Sequence, residues 1–315
     1  MLSAMSNDAP TQPELIDPVH LARQRDRAAD GFDDVDFLKS AVADRIMDRI
    51  DMIRRDLPSV LEAGCHTGTL TKRLLAHPKI SSVTAFDPSS RMAEITAKRC
   101  DIDVITAPFE QVPFEGQRFD AIISAFALHW SNDLPGTLIQ LAQRLNPDGV
   151  LLVALAGGET LSALRNCLAS AESEISGGMA PRVLPMGDIR DMGGLIGRAG
   201  LTMPVADSET LTVTYPHIFK LMGELRAMGE GNAMTGRLRH PTSRRVFLRA
   251  AEIYHQEYGE DDRLPVDFEI ITLTGWSPDK SQPKPLKPGS AQTRLATALG
   301  VHENDPLKTN NTKKN

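Results

Sequence analysis

The chain has 315 residues, a formal charge of −6 and three cysteines. That length supports a sizeable core without staples, and Cys65, Cys100 and Cys167 form no Cys-x-x-Cys pair, which points away from structural zinc and toward a reducing, cytoplasmic setting. The acidic balance gives no electrostatic ground for binding nucleic acid, Met1 to Leu15 lacks a secretory signal pattern, and the longest apolar run, Val150 to Ala156, is too short to span a bilayer.

His20 to Ala29 carries Arg23, Arg25 and Arg27 and reads either as a solvated basic arm or as a segment lying over a ligand mouth. From Asp34 to Leu57, the residues Val35, Leu38, Val42, Ile46, Ile50, Ile53 and Leu57 repeat as one helical stripe, with Asp33 or Asp34 placed as the cap. Asp51 and Arg55 stand four apart on the polar face, the spacing of an ion pair. Residues 60–68, Val-Leu-Glu-Ala-Gly-Cys-His-Thr-Gly, then run a short apolar strand into a glycine turn. Thr69 to Ala76 is the expected crossover helix, and a second apolar strand, Ser82 to Asp87, ends on a carboxylate. A strand, a backbone-exposing turn and a carboxylate at the next strand tip are what an α/β domain uses to hold an adenosine-containing cofactor by its ribose. A dinucleotide site wants Gly-x-Gly-x-x-Gly so that backbone can press on a pyrophosphate; His66 stands where the middle glycine would be, which argues against NAD or FAD. The turn resembles the E/D-x-G-x-G-x-G turn of class I S-adenosylmethionine methyltransferases. By that resemblance Gly64 and Gly68, with Cys65 and His66 between them, make room for the methionine moiety. Glu62 would face its ammonium, and Asp87 would accept hydrogen bonds from the ribose hydroxyls.

Ser90 to Cys100 returns as a helix and Asp103 to Thr106 as a short strand. In adenosylmethionine folds the following loop commonly carries an Asp that reads the adenine amino group; this chain has Pro108 there, and Phe109 either stacks on adenine or fills the core. Phe119 to Ala125 is a fourth strand, and Asn-Pro-Asp-Gly at 146–149 is a turn feeding a fully apolar fifth strand, Val150 to Leu155. Strands and helices alternating in this way define a doubly wound, Rossmann-like α/β sheet. Its ligand belongs at the carboxyl ends of the strands, where Gly64, Asp87, Phe109 and the loop from Ala125 to Trp130 fall. Beyond Leu155 the pattern changes. It predicts helices over Thr160–Ile175, Ile189–Arg198, the stripe from Ile218 to Met228, and Thr242–Tyr258, with strands at 202–206, 209–214 and Val266–Thr274. The Ser176 to Met186 loop, bearing Gly177, Gly178, Pro181 and Pro185, is expected to cover the cofactor pocket. Arg237 to Arg249 makes a basic patch, and the Pro-bearing tail from Ser277 is expected to be disordered. The domain plan is therefore an arm at 1–33, a cofactor-binding core at 34–156, a helical cap with C-terminal strands at 157–276, and a tail at 277–315.

Five segments carry a narrower resemblance: Leu-His-Trp-Ser-Asn-Asp-Leu-Pro at 128–135, Ser-Gly-Gly-Met-Ala-Pro-Arg-Val-Leu-Pro at 176–185, Leu-Ile-Gly-Arg-Ala-Gly at 195–200, Met-Gly-Glu-Leu-Arg-Ala-Met-Gly-Glu-Gly-Asn at 222–232 and Gly-Trp at 275–276. They are similar to the family of mitochondrial complex I assembly factor five and its bacterial relatives, and more distantly to the methyltransferase that esterifies malonyl carrier protein. The resemblance implies S-adenosylmethionine as cofactor and a mostly parallel seven-stranded sheet with a helical insertion. It also implies an acceptor that is a protein, such as a respiratory complex I subunit, or a carrier-bound acid. Methyl transfer, arginine hydroxylation and a non-catalytic assembly role all remain open at this stage. Hydroxylation would need a bound oxidant, and in the single His-x-Glu, His255 and Glu257 point apart on a predicted helix, so no metal site is expected. Methyl transfer asks for few catalytic side chains. His129 could take a proton from an acceptor or be paired for structure, while Trp130 walls the pocket.

Overall fold

The computed structural model describes residues 14–283 together with Thr297. β1 (Ser59–Ala63), β2 (Ser82–Asp87), β3 (Val104–Thr106), β4 (Phe119–Ala125) and β5 (Leu145–Ala156) are all paired in parallel, the apolar runs of β1, β4 and β5 buried on both faces and β3 an exposed edge. β6 (Thr202–Tyr215) and β7 (Leu264–Trp276) add antiparallel, giving a seven-stranded sheet in the order β3-β2-β1-β4-β5-β7-β6. The strand order reverses between β1 and β4, the place where such a sheet opens a ligand crevice at its carboxyl edge.

The helices are α1 (Pro18–Ala28), α2 (Phe37–Met52), α3 (Thr69–Leu75), α4 (Ser90–Cys100), α5 (Leu134–Gln143), α6 (Ser162–Ser176), α7 (Ile189–Arg198), α8 (Ile218–Ala227) and α9 (Arg244–Tyr258). The period-two alternation of β5 sorts its side chains between two cores. Val150, Leu152, Ala154 and Ala156 join Ile46 and Ile50 of α2, Leu164 of α6 and Ala250 of α9. Leu151, Val153 and Leu155 join Leu138 and Leu141 of α5 and Ile196 of α7. The described residues from Glu14 to Asp279 belong to one compact unit.

Several expectations change at the level of local structure. The helix expected from Asp34 to Leu57 is shorter: Ala29–Asp34 is a 3-10 turn, α2 follows Asp36, and Ile53 is already extended. Neither Asp33 nor Asp34 caps it. Asp33 instead accepts from Thr67 Oγ1 at 2.8 Å and Asp36 from Thr69 Oγ1 at 2.5 Å, which fastens this segment to the turn after β1. Because α2 ends at Met52, the Asp51–Arg55 pair does not form; Arg55 reaches Asp148 at 3.0 Å and Asp51 faces His77 at 2.9 Å. Asn146 to Gly149 lie within β5 as a looped-out stretch, since Phe119 pairs with Leu145 and Ala121 with Val150. The two strands expected between 202 and 214 are the single β6, where Asp207 and Ser208 stay in register with Thr272 and Ile271. In the basic patch, Arg237 pairs with Asp17 at 2.9 Å and Arg249 with Glu174 at 2.7 Å, so both serve the fold. Residues 1–13 of the expected arm lie outside the described residues, while α1 buries Leu21 and Arg25. Ser277 donates to Gly149 O at 2.7 Å; beyond residue 283, Thr297 aside, the expected tail lies outside the described residues.

Two positions on one helix separate burial from helix propensity. Ile46 on α2 is 1% exposed, so Ile46→Ala should cost roughly 2 to 5 kcal/mol in denaturant melts. Met52 is 72% exposed, and Met52→Ala should stay within about 0.5 kcal/mol of the parent.

Candidate functional site

β1 delivers Glu62 and then breaks into a turn whose backbone only small or left-handed residues accept. Gly64 has φ 81°, and a Cβ there would lie 2.3 Å from Ala127 Cβ and 3.3 Å from the Phe109 ring. Gly68, at φ 88°, opens α3. Between them His66 is itself left-handed at φ 49°, and its N–H donates to Asp87 Oδ2 at 3.0 Å. The other oxygen of Asp87 accepts from Ser89 N at 2.8 Å. Glu62 accepts from Thr71 Oγ1 at 2.5 Å. Glu62, Gly64, Cys65, His66 and Ala125 thus line one narrow pocket of about 10 Å³ with Phe32, Asp36, Lys39 and Thr69. Asp87 borders it through His66, and buried Phe109 packs on Gly64 and edge-on against Phe86. Pro108 is half-buried beside Phe109 and lines neither this pocket nor the larger cavity.

That larger cavity, about 370 Å³, lies against the strand tips, α6 and the loop at 182–186. Its walls are mostly apolar, among them Leu161, Leu164, Met222, Leu225 and Phe268, while His129, Trp130 and Glu230 contribute polar groups. Of the Ser176 to Met186 loop, expected to cover the cofactor pocket, Arg182, Val183, Leu184 and Met186 line this cavity, and Asn232 Nδ2 donates to Pro181 O at 2.8 Å.

The two spaces meet at three charges, Lys39, Glu230 and Arg25, the last from the basic segment His20 to Ala29 and buried rather than solvated. Lys39 Nζ donates to Glu230 Oε1 at 2.6 Å and to Phe126 O at 3.1 Å, and lies 3.1 Å from His66 Nε2. Glu230 also accepts from Trp130 Nε1 and faces His129 Nε2 at 3.5 Å and Arg25 Nη2 at 3.7 Å. Arg25 is fully buried with its Cζ 5.6 Å from the Phe109 centroid, and its guanidinium nitrogens make no hydrogen bond. Lys39 could have been noticed as a lysine beside Leu38 in the buried phase of the α2 stripe. Glu230 falls within the 222–232 segment that carries the family resemblance, but nothing in the sequence pairs it with Lys39, 191 residues away.

Burial governs the protonation of these groups. It drives the His66 imidazole well below the usual histidine range, helped by Lys39 and Arg25, and lowers His129 against the pull of Glu230. Burial raises the Cys65 thiol and the Asp87 carboxyl, Arg25 opposing the latter. Burial would also raise Glu230, but Lys39, His129 and Arg25 hold it well below the usual carboxylate range, so it stands ionised. The Glu62 carboxyl is pushed up to about 8 by burial, against its Thr71 hydrogen bond. A carboxyl raised on folding stabilises the fold while both states hold the proton, and loses that contribution as pH climbs through its folded value. Glu62→Gln should therefore melt progressively higher than the parent from about pH 5 to about pH 8, with the difference flat above that, in ligand-free thermal scans.

Residues 60–149 match the methyltransferase domain family. The chain is 37% identical over 281 residues to the arginine-hydroxylase NDUFAF5, mitochondrial, of Danio rerio, covering 87% of this chain and 86% of the relative. It is 29% identical to the malonyl-[acyl-carrier protein] O-methyltransferase of a Methylovorus species, covering 90% and 98%. A solved structure from Bacillus halodurans C-125 superposes with a TM-score of 0.52 at 14% identity, over 73% of this chain and 97% of that one, a likeness of fold alone. Among the described residues no helix is long and apolar enough to cross a membrane. The chain belongs to the S-adenosylmethionine-dependent methyltransferase family, in the branch that holds the NDUFAF5 proteins.

Proposed function

We propose that this chain methylates an acceptor borne on a protein or a carrier, whose reactive end enters the 370 Å³ cavity, and that it does so in the assembly of respiratory complex I. The observation that carries the reading is the meeting of the glycine turn and the cavity at a single side chain, Lys39. S-adenosylmethionine supplies a methyl already activated on sulfur, so the chain's own residues need only hold, align and desolvate. In this reading Glu62 and the turn from Gly64 to Gly68, with Cys65, His66 and Ala125, hold the methionine end, Asp87 the ribose, and Phe109 with Pro108 the adenine. A Cβ at Gly64 would strike Ala127, so that glycine is required by packing, and what favours an anionic ligand here is Arg25, which offers buried donors without partners. His129, whose Nδ1 has no hydrogen-bond partner, is the group able to take a proton from a protic acceptor.

Arginine hydroxylation, named for the NDUFAF5 relatives, is the second reading and rests on that 37% identity. The cavity's charge favours methyl transfer to an acidic or neutral acceptor. Arg27, Lys39, Arg182 and Arg226 line it, and Glu230 is the one acid among its described lining residues, already bound by Lys39 and Trp130. Cysteine usage keeps a cytoplasmic setting as our proposal, beside relatives whose names place them in mitochondria.

Asp87→Ala should weaken S-adenosylmethionine by roughly 1.5 to 3 kcal/mol in calorimetry, the scale of a hydrogen bond to a charged group. Unchanged affinity in a folded variant would overturn the placement. For the reaction, purified protein is incubated with methyl-labelled cofactor and extract of a strain lacking the chain. Label on one protein band is the expected result; a subunit that gains oxygen mass without label makes hydroxylation the better reading.

A further inference from the structure

Lys39 is the only side chain common to the two described spaces. Its ammonium ties together three segments distant in sequence: His66 in the turn after β1, Phe126 O after β4, and Glu230 after α8. Glu230 in turn holds the indole of Trp130 and faces the imidazole of His129, both on the wall of the larger cavity. Within this cluster two buried cations, Lys39 and Arg25, share one carboxylate. Arg25 has no hydrogen bond from any of its three nitrogens, and its nearest acidic oxygen is Glu230 Oε1 at 3.7 Å. Burying a guanidinium so poorly paired is costly, and a second carboxylate would relieve it.

We propose that the amino-acid carboxylate of the cofactor competes with Glu230 for Lys39 and Arg25, so that filling the turn releases Glu230 toward the cavity. This rests on the two-chamber reading given above. Arg25 lines neither space; it lies over Phe109, whose ring packs against Gly64, while Lys39 reaches His66 in the turn itself. A carboxylate entering beside Gly64 and His66 would stand between the two cations. Once Lys39 turns to that carboxylate, Glu230 keeps only its contacts to Trp130 and His129, and the acceptor wall changes its charge and its hydrogen bonding. Lys39 and Glu230 are thus positioning residues that link one site to the other, and the linkage is reciprocal.

The chain has two tryptophans, and Trp276 sits over Arg55 at the far end of β7, so Trp276→Phe leaves Trp130 as the reporter. In that protein, S-adenosylhomocysteine should shift the Trp130 emission. Methylthioadenosine, which lacks the amino-acid end, should bind without shifting it. Glu230→Gln removes the competitor, so it should raise S-adenosylhomocysteine affinity several-fold, leave methylthioadenosine unchanged and abolish the shift. Lys39→Met should cost S-adenosylhomocysteine roughly 10-fold or more, the scale of a lost charge-assisted bond, and spare methylthioadenosine. A structural role alone would lower both affinities. The inference is overturned if methylthioadenosine produces the same emission shift, or if Glu230→Gln lowers both affinities in a folded protein. If calorimetry with the parent protein detects no S-adenosylhomocysteine binding, the cofactor reading falls, and this inference with it.

Discussion

A carboxylate sealed from water must take its hydrogen bonds from the protein, and Asp87 takes both of its resolved ones from backbone. One oxygen binds the N–H of His66 and the other the N–H of Ser89. The first of these holds the glycine turn after β1 in its left-handed course, and the second sets the entry to α4. The two strand tips are joined in this way through one side chain. The same turn is fastened from outside by Asp33 and Asp36 through Thr67 and Thr69. Three acidic side chains thus hold one short loop.

The site combines many ionisable groups with little free charge. His66 and His129 are kept neutral by burial, and Glu62 holds its proton near neutrality. What remains ionised is concentrated where the turn meets the cavity, on Lys39, Arg25 and Glu230. Charges placed there act through a medium that screens poorly, so each feels its neighbours more strongly than surface charges would. The exposed pairs elsewhere, such as Arg91 with Asp30, contribute little by comparison.

The parallel half of the fold was legible because its signals are local. β2, β4, α4 and α7 fall where apolar period, turn residues and caps placed them. The strand-tip residues Glu62, Gly64, His66, Asp87 and Phe109 were legible for the same reason, since each is fixed by its distance from a strand end. The boundaries that moved did so under tertiary constraint. α2 ends at Met52 and leaves Arg55 to reach Asp148, and Asn146 to Gly149 were absorbed into β5 by its pairing with β4. Lys39 and Glu230 were hidden because no period relates positions on α2 to a loop after α8. A lysine in an apolar stripe is a visible anomaly, but its partner is chosen by the fold.

The place of β7 in the sheet has a consequence for how the chain acquires its structure. β5 is flanked on one side by β4, next before it in sequence, and on the other by β7, whose first residue, Leu264, comes more than a hundred residues after Ala156. During synthesis, therefore, one edge of the apolar run Val150–Ala156 stays open while the segment between β5 and β7 is being made. Pairing across such a separation is slow, and an open apolar edge invites association with other chains in the meantime. The antiparallel pairing of β7 with β5 is thus the step that ends this exposure. A ribosome that stalled before Leu264 would release a protein whose β5 is paired with β4 on one edge and open on the other.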